Sequence, residues 1–208
     1  MLRIIAGTAG GRRIESPPGQ DLRPMMDKVR AALFDMLWHF DAIQGRVLDM
    51  YAGSGAVGME ALSRGADFAD FIEFNSTSAR TIQSNLESIG LAAQGRVHRR
   101  KAEDVIAKPA LLGFAGPYNL ISITPPYEEV DYPTLAQKVA ASTLVGPGTV
   151  VIFEHSKYVE MAEAIGPLVR LRDRRYGGTR ISIYEFPLES DDTEDEGHDD
   201  VDDEGSDE

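Results

Sequence analysis

The sequence contains no cysteine among its 208 residues, which excludes disulfide bridges, thiolate metal ligands and a cysteine nucleophile. Its four histidines, at positions 39, 98, 155 and 198, lack the spacing of a metal site, so we expect no bound metal. No apolar run approaches the roughly 20 residues that a membrane-spanning helix needs. The first residues lack the apolar core and cleavage site of a secretory signal, so a cytoplasmic protein without membrane contact is the default expectation.

The last 20 residues contain no Lys or Arg, and they account for the whole net charge of −13. Residues 189–208 hold 13 Asp and Glu and no Lys or Arg; subtracting these 13 from 34 acidic residues leaves 21, equal to the 21 basic ones. The segment has almost no aliphatic or aromatic side chains with which to bury surface. We therefore expect residues 188–208 to form a disordered acidic tail, with solubilisation as the favoured role and partner docking as the alternative.

The rest of the chain alternates apolar strands with amphipathic helices. A short hairpin over residues 1–20 and a helix over 25–40 form an N-terminal extension, residues 1–44. In the core, residues 45–187, we expect strands at 47–50, 68–72, 96–99, 119–123 and 148–153, a final antiparallel hairpin from 169–172 and 180–184, and helices at 57–64, 76–89, 103–112, 132–142 and 158–165. Ser76 is the expected cap of the second of these helices. The order predicts an α/β fold with a doubly wound, mostly parallel sheet that binds ligands at the carboxyl ends of its strands.

The loop after the first core strand has the glycine spacing of a nucleotide-binding turn. Gly53, Gly55 and Gly58 form a G-x-G-x-x-G pattern, in which glycines permit a sharp turn and close approach of a ligand. The helix that follows favours electronegative groups at its N-terminus. Glu73 follows Gly53 by 20 residues, at the end of the next strand, where a carboxylate can accept both hydroxyls of a ribose. These features predict a nucleotide-like cofactor; a tight turn without a ligand is the alternative.

Two further features favour a sulfonium cofactor over a dinucleotide. Asp49 lies four positions before the first glycine, where it can pair with the ammonium of a methionine moiety. The fourth strand runs into Thr124-Pro125-Pro126-Tyr127. Successive prolines keep this turn extended and without N–H donors, so the carbonyls of Thr124 and Pro125 can accept hydrogen bonds from an exocyclic base amine. Tyr127 offers an aromatic face on which the base can stack.

Together these motifs resemble the bacterial 16S rRNA (guanine-N2)-methyltransferases of the RsmD type. The resemblance covers residues 1–187 and is carried by Arg3-Ile4-Ile5-Ala6-Gly7, Gly11-Arg12-Arg13, Arg23-Pro24, Asp27-Lys28-Val29-Arg30, the segment from Leu48 to Ala66, Pro125-Pro126-Tyr127 and Tyr176-Gly177. It implies the Rossmann-like class I methyltransferase fold, with seven strands and an antiparallel last strand. It also implies S-adenosylmethionine as cofactor and methyl transfer to the N2 amine of a guanine in small-subunit rRNA.

The resemblance assigns roles to individual residues. The target amine is expected at Thr124, Pro125, Pro126 and Tyr127. The cofactor is expected to contact Asp49, Tyr51, Ala52, Gly53, Ser54, Gly55, Glu73, Phe74 and Ala102. Phosphate contacts are expected from Arg12, Arg13, Arg23, Lys28 and Arg30, with Arg174 and Arg175 as a second set. The two basic residues of the first helix, Lys28 and Arg30, are placed off its apolar face. The expected partner is rRNA or the assembling small subunit, and the expected protein is a monomer.

Three positions depart from the usual family pattern. Thr124 stands where Asp or Asn is usual, and its hydroxyl accepts a hydrogen bond but cannot act as a carboxylate base. Met25 follows Arg23-Pro24 where Thr is common. Lys101 replaces an acceptor for the adenine amine, for which Glu103 and Asp104 are the candidate substitutes. Two alternatives therefore stay open: a cofactor-binding protein with impaired catalysis, and an amino-methyltransferase that acts on DNA or protein.

Overall fold

A computed structural model of the chain describes residues 2–18, 25–126 and 130–188. Arg23, Tyr127 and the predicted acidic tail from residue 189 lie outside the described residues. The N-terminal extension consists of a two-stranded antiparallel ribbon, β1 (Leu2–Arg3) and β2 (Arg13–Ile14), and helix α1 (Asp27–His39). The predicted hairpin and first helix are thus present.

The core of the described chain is an eight-stranded sheet. In chain order its strands are β3 (Arg46–Met50), β4 (Phe68–Ile72), β5 (Gly95–His98), β6 (Leu120–Ile123), β7 (Val150–Ser156), β8 (Ala164–Ile165), β9 (Leu168–Tyr176) and β10 (Thr179–Glu185). They are arranged β5-β4-β3-β6-β7-β10-β9-β8. The first five are mutually parallel, whereas β10 runs antiparallel to both β7 and β9. The predicted antiparallel last strand is confirmed; the two-residue β8 adds an eighth strand to the expected seven.

Helices cover both faces of the sheet, because its central strands are apolar on both sides. The helices that follow α1 are α2 (Ala56–Ser63), α3 (Ser76–Ser88), α4 (Ala102–Ala107) and α5 (Tyr132–Ala140). Neighbouring residues of a strand point to opposite faces. Val47 accordingly joins one core with Leu33 of α1, Met59 of α2 and Ile82 of α3. Leu48 joins the other core with Val105 of α4 and Leu135 of α5.

The placement of Arg30 off the buried face of α1 is wrong. Its side chain is wholly buried and donates hydrogen bonds to the carbonyls of Arg3 and Met25. It forms an ion pair with Asp27 at 3.1 Å, and its Nε lies 3.7 Å from Glu60 of α2. Buried charges need such partners. Arg30 therefore holds the N-terminal extension against the core and is not available to a phosphate of RNA.

Two local predictions are also corrected. Asn75, not Ser76, caps α3: its side-chain oxygen accepts hydrogen bonds from the N–H groups of Thr77 and Ser78 at 2.8 and 3.1 Å. The helix expected at 158–165 does not form. The Met161 carbonyl accepts from the guanidinium of Arg170 at 2.9 Å, and the carbonyls of Ala162 and Glu163 likewise accept from Tyr184 and from the N–H of Arg170. Contacts with β9 and β10 thus replace the hydrogen bonds of a helix.

Membrane-spanning helices and metal clusters are both missing from the described part of the chain. None of its helices has both the length and the apolar character needed to cross a bilayer. No cluster of three or more His, Asp or Glu side chains has the arrangement of a metal site there.

Candidate cofactor and substrate site

Three parallel strands end at the same level and bring the predicted site residues together. Met50 of β3 is in register with Ile72 of β4 and with Ile123 of β6. The residues that directly follow these three strands are Tyr51, Glu73 and Thr124. We call this side of the sheet the carboxyl edge. It assembles residues that are 22 to 73 positions apart in the sequence.

The glycine loop makes a left-handed turn between β3 and α2. Tyr51, Gly53 and Gly55 have φ of 57°, 55° and 78°, and the N–H of Gly55 donates to the Ala52 carbonyl at 2.7 Å. A Cβ on Gly55 would lie 2.8 Å from the Met59 side chain. The loop therefore favours glycine at position 55 because of its backbone angle, whereas the Met59 methyl is the end of a flexible side chain that can move aside.

Gly58 serves the packing of α2 rather than the turn. A Cβ at this position would lie 2.4 Å from the ring of Phe71 on β4. The third glycine of the motif thus lets the helix approach the sheet closely.

Asp49 is buried beneath the glycine loop and is 1% exposed. Its Oδ2 accepts a hydrogen bond from the N–H of Gly58 at 2.9 Å. Burial raises the pKa of this carboxyl to about 7, although the Gly58 N–H acts in the opposite direction. The nearby Ser122 hydroxyl also lowers the pKa. Neither Asp49 Oδ1 nor Ser122 Oγ has a hydrogen-bond partner in the described chain. An unpartnered buried carboxylate oxygen is suited to a cationic ligand.

Glu73 ties the glycine loop to the start of α3. Its Oε2 accepts a hydrogen bond from the N–H of Gly53 at 2.9 Å, and its Oε1 accepts from the N–H of Asn75 at 2.7 Å. An ionised carboxylate has about four lone-pair positions, so two more donors can still be accepted. The position after β4 thus has room for the two hydroxyls of a ribose, and the ribose contact of Glu73 stays a prediction.

The residues after β4 and β5 supply an apolar wall and its neighbouring charges. Phe74 is 60% exposed, and the Lys101 ammonium lies 5.3 Å from the centre of its ring. Ala102 is buried at the start of α4. Glu103 accepts a hydrogen bond from the Tyr51 hydroxyl at 2.7 Å. Burial, together with Glu103, raises the pKa of Tyr51, which keeps this hydroxyl a neutral donor.

A cleft of about 790 Å³ opens beside this pair, between α4 and α5. Tyr51, Glu103, Val130 and Asp131 are among the residues that line it. The expected adenine end of the cofactor site therefore borders an open groove.

Thr124 directs its hydroxyl toward the end of β3. Its Oγ1 lies 3.5 Å from the carbonyl oxygens of Met50 and of Tyr51, as a long hydrogen-bond donor to both. A hydroxyl that donates its proton keeps its lone pairs free to accept. Pro125 is buried and Pro126 is exposed, so the turn begins at the sheet and leads to the surface. Thr124 can thus accept a hydrogen bond from an amine without giving up its own contacts.

The family model described as Conserved hypothetical protein 95 matches residues 2–185. The chain belongs to this family. One relative is Putative rRNA methyltransferase YlbH of Bacillus subtilis, 34% identical over 186 residues that cover 88% of this chain and 98% of that protein. Another is Ribosomal RNA small subunit methyltransferase D of Escherichia coli, 35% identical over 127 residues, or 61% of each chain.

Solved structures of family relatives have the same fold. A hypothetical protein of Thermus thermophilus superposes with a TM-score of 0.76 at 30% identity, over 89% of this chain and 99% of that one. The yhhF protein of Escherichia coli superposes with a TM-score of 0.75 at 27% identity, over 90% and 98%. The predicted class I methyltransferase fold is confirmed, and the chain is an enzyme of this methyltransferase family.

The basic residues predicted to contact RNA differ in their surroundings. Arg12 and Arg13 are exposed on the extension, and Lys28 is exposed on α1. The Arg12 guanidinium also donates to the Ile89 carbonyl at 2.6 Å, which fastens the extension to the end of α3. Arg13 and Lys28 thus remain predicted phosphate contacts, whereas Arg12 has a structural contact as well.

Asn85 is a site-supporting residue that the sequence analysis missed. Its buried side chain accepts from the Glu15 N–H at 2.8 Å and donates to the carbonyls of Glu15 and Ser54 at 2.9 and 3.2 Å. One amide therefore joins the N-terminal extension to the glycine loop of the methyltransferase core. The available signal was a polar residue on the face of α3 that also carries Ile82 and Leu86.

Proposed function

We propose that this protein transfers a methyl group from S-adenosylmethionine to the exocyclic N2 amine of a guanine in small-subunit rRNA. The coarser assignment, an rRNA methyltransferase, accords with its family and with the names of its relatives. The observation that carries the finer proposal is the meeting of Asp49, Glu73 and Thr124 at one edge of the sheet. A cation-binding carboxylate and a ribose-binding carboxylate lie there beside an acceptor for an amine.

The residues present fit the cofactor. The unpartnered oxygen of Asp49 would accept from the ammonium of the methionine end, and Glu73 would accept from the ribose. The left-handed glycine loop leaves room for a close approach between them. Phe74 and Ala102 would border the adenine. S-adenosylmethionine, when bound, supplies an electrophilic methyl group for direct transfer to the target nitrogen.

The chain contributes orientation to this transfer. The lone pair of an aromatic amine is delocalised into the ring, so the nitrogen must be held in line while hydrogen bonds favour its pyramidal form. Thr124 Oγ1 and the Pro125 carbonyl would accept those bonds, and Tyr127 would stack on the base. Positioning of this kind supplies a large part of a catalytic effect. The amine proton leaves late, to water. Flipping the base from its stack costs a few kcal/mol.

A methyl-transfer assay on ribosomal particles tests the proposal. The full chain would be incubated with tritiated S-adenosylmethionine and small ribosomal subunits from cells that lack the gene, and the methylated nucleotide would be located by mass spectrometry. We expect one N2-methylguanine in the rRNA. Label found in duplex DNA or in ribosomal protein instead would contradict it.

A calorimetric titration with S-adenosylmethionine, combined with the transfer assay, distinguishes an active enzyme from a cofactor-binding protein with impaired catalysis. Binding without transfer to subunits, at any assembly stage tested, would indicate a cofactor-binding protein with impaired catalysis. Absence of binding would contradict the enzyme and the cofactor-binding versions together.

A further inference from the structure

The carboxyl edge has a second half that the cofactor does not use. The cofactor residues follow β3, β4 and β5, whereas β7, β10 and β9 extend the sheet on the other side of β6. Because β10 is antiparallel to both β7 and β9, the latter two run in the same direction. The ends of β7 and β9, and the turn between β9 and β10, therefore lie at the same edge as Thr124.

An aromatic side chain is exposed at this second half. Tyr158, two residues after β7, is 82% exposed. The Lys157 ammonium lies 4.7 Å from the centre of its ring and covers one face. The N–H of Lys157 donates to the Gly178 carbonyl at 2.9 Å, which fastens this loop to the β9–β10 turn. The tyrosine is thus held in place and retains a second ring face that is open to solvent.

Arg175 lies beside the turn that holds this loop, because its Nε donates to the Gly177 carbonyl at 3.0 Å. Arg174 pairs with the buried Ile181 and so points to the other face of the sheet. Arg174 and Arg175 are exposed near the end of β9 and, like Lys157, form no ion pair with any described residue. The nearby Asp173 is neutralised by Arg180, at 2.6 Å. Glu160 is the acidic residue left in the loop. We call the group formed by Lys157, Tyr158 and Arg175 the hairpin patch; it is positive although residues 1–188 are formally neutral.

We propose that the hairpin patch binds single-stranded RNA next to the target guanine. Tyr158 stacks on one flanking base, and Lys157 and Arg175 contact phosphates. The inference rests on the proposed function and adds to it a second binding site for the same substrate. An exposed aromatic ring among basic side chains is the usual arrangement for unpaired nucleotides, since every base offers a face for stacking.

The distance to Thr124 suits a flanking nucleotide. From β6 to β9 there are three strand spacings, or about 14 Å at ~4.8 Å each. That is the length of about four stacked nucleotides at ~3.4 Å each. The strand that carries the flipped base is therefore long enough to reach the patch, and the open ring face favours RNA over an acidic peptide.

The test measures binding of a fluorescent 12-nucleotide oligouridine and methyl transfer to small ribosomal subunits. We expect Tyr158→Ala to weaken oligouridine binding about tenfold, within the range for loss of one stacked base. The double variant Lys157→Gln and Arg175→Gln should reduce the slope of log Kd against log salt by about 1.4, since each single-strand phosphate contact contributes ~0.7. For both variants KM for subunits should rise, with kcat and S-adenosylmethionine affinity unchanged.

Two matched variants provide the controls. Trp38→Ala removes another exposed aromatic, 70% exposed, from the last turn of α1 at the opposite edge of the sheet. Lys138→Gln removes an exposed cation from the last turn of α5. Both should bind oligouridine as the unmodified protein does.

The outcomes separate this inference from the proposed function. Variants of the hairpin patch that match Trp38→Ala in RNA affinity and KM would overturn the inference and leave the methyltransferase assignment intact. Binding of a glutamate-rich peptide that is lost in these variants, with RNA affinity unchanged, would assign the patch to an acidic protein partner and also overturn it. Absence of transfer by the unmodified protein would contradict the proposed function, whereas oligouridine binding reports on the patch alone.

Discussion

The carboxylate of Asp49 accepts a hydrogen bond from the N–H of Gly58 at 2.9 Å, so one buried side chain joins the end of β3 to the first turn of α2. The other oxygen of the same carboxylate has no partner in the described chain. This arrangement stabilises the glycine loop and at the same time leaves an acceptor at the expected cofactor site.

Cofactor affinity should therefore depend on pH. Burial raises the pKa of Asp49 to about 7, so a large part of the free protein carries a neutral carboxyl below that pH. The ammonium of the cofactor requires the charged form, hence binding weakens as the pH falls. We expect the Kd for S-adenosylmethionine to rise about eightfold from pH 7.5 to pH 6, measured by calorimetry.

Asp49→Asn provides the control for this prediction. The variant should bind the cofactor weakly at every pH. Because the pKa of Asp49 is higher in the folded state than in the unfolded state, the free energy of unfolding falls as the pH rises from about 4 to 7. An uncharged amide at this position does not lose stability in this way. At pH 8 we expect Asp49→Asn to be more stable than the parent protein by an amount on the order of 2 to 4 kcal/mol. A pH-independent Kd in the parent protein would contradict the ammonium contact.

The methyl-transfer rate of variants at Thr124 should depend on whether the new side chain can donate a hydrogen bond to the carbonyls at the end of β3 and also accept one from the base amine. Thr124 Oγ1 faces two carbonyl oxygens at 3.5 Å, so a carboxylate there would be repelled by them, whereas an amide can donate to them through its nitrogen. We expect Thr124→Asn to equal or exceed the parent rate and Thr124→Asp to be slower than Thr124→Asn. Single-turnover methyl transfer measures this order.

Thr124→Val is the matched variant for the hydroxyl itself, because it keeps the branched shape. Loss of one hydrogen bond worth ~1.4 kcal/mol slows transfer about tenfold. An unchanged rate in Thr124→Val would show that the Pro125 carbonyl suffices to orient the amine.

Arg30 should affect stability rather than RNA affinity. Arg30→Met removes the buried cation that links Arg3, Asp27 and Glu60. Glu60 still has its ion pair with Arg64, at 2.7 Å. We expect a loss of about 2 to 4 kcal/mol in the free energy of unfolding by urea. The exposed Lys28→Met should change it by less than about 0.5 kcal/mol. A stable Arg30→Met variant with weak RNA binding would restore the phosphate role for Arg30.

Asn85 should support cofactor binding from outside the site. Asn85→Ala leaves the N–H of Glu15 and the carbonyls of Glu15 and Ser54 without their buried partner. We expect a loss of about 2 kcal/mol in unfolding free energy and severalfold weaker S-adenosylmethionine binding. Gln83→Ala on the exposed side of α3 is the control. Lower stability with unchanged cofactor affinity would limit Asn85 to a role in the fold.

Much of the methyltransferase core could be predicted because its signals are local. Strands β3, β4 and β6 are short apolar runs, and Gly53 and Gly55 interrupt the pattern where the backbone must turn left-handed. The positions of Glu73 and Thr124 at strand ends follow from the same patterns. Parallel strands with helical connections then bring those ends to one edge.

Contacts between distant residues could not be predicted in this way. The burial of Arg30 depends on Glu60, and the hydroxyl of Tyr51 donates a hydrogen bond to Glu103, 52 positions away. The segment after β7 has apolar spacing typical of a helix, yet its carbonyls bond to β9 and β10. These contacts depend on which side chains come together in the folded chain, and the spacing of apolar residues within one segment does not indicate that.

The sequence by itself determined the order of strands and helices, the glycine loop and the acidic and hydroxyl residues at the strand ends, since periodicity and backbone freedom are properties of neighbouring residues. Only the tertiary structure decided that Asp49 is buried with a raised pKa, that Arg30 is internal, and that Asn85 connects the extension to the glycine loop. It also placed the loop of Tyr158 against the β9–β10 turn that carries Arg175. Burial and long-range hydrogen bonding exist only once the sheet has assembled.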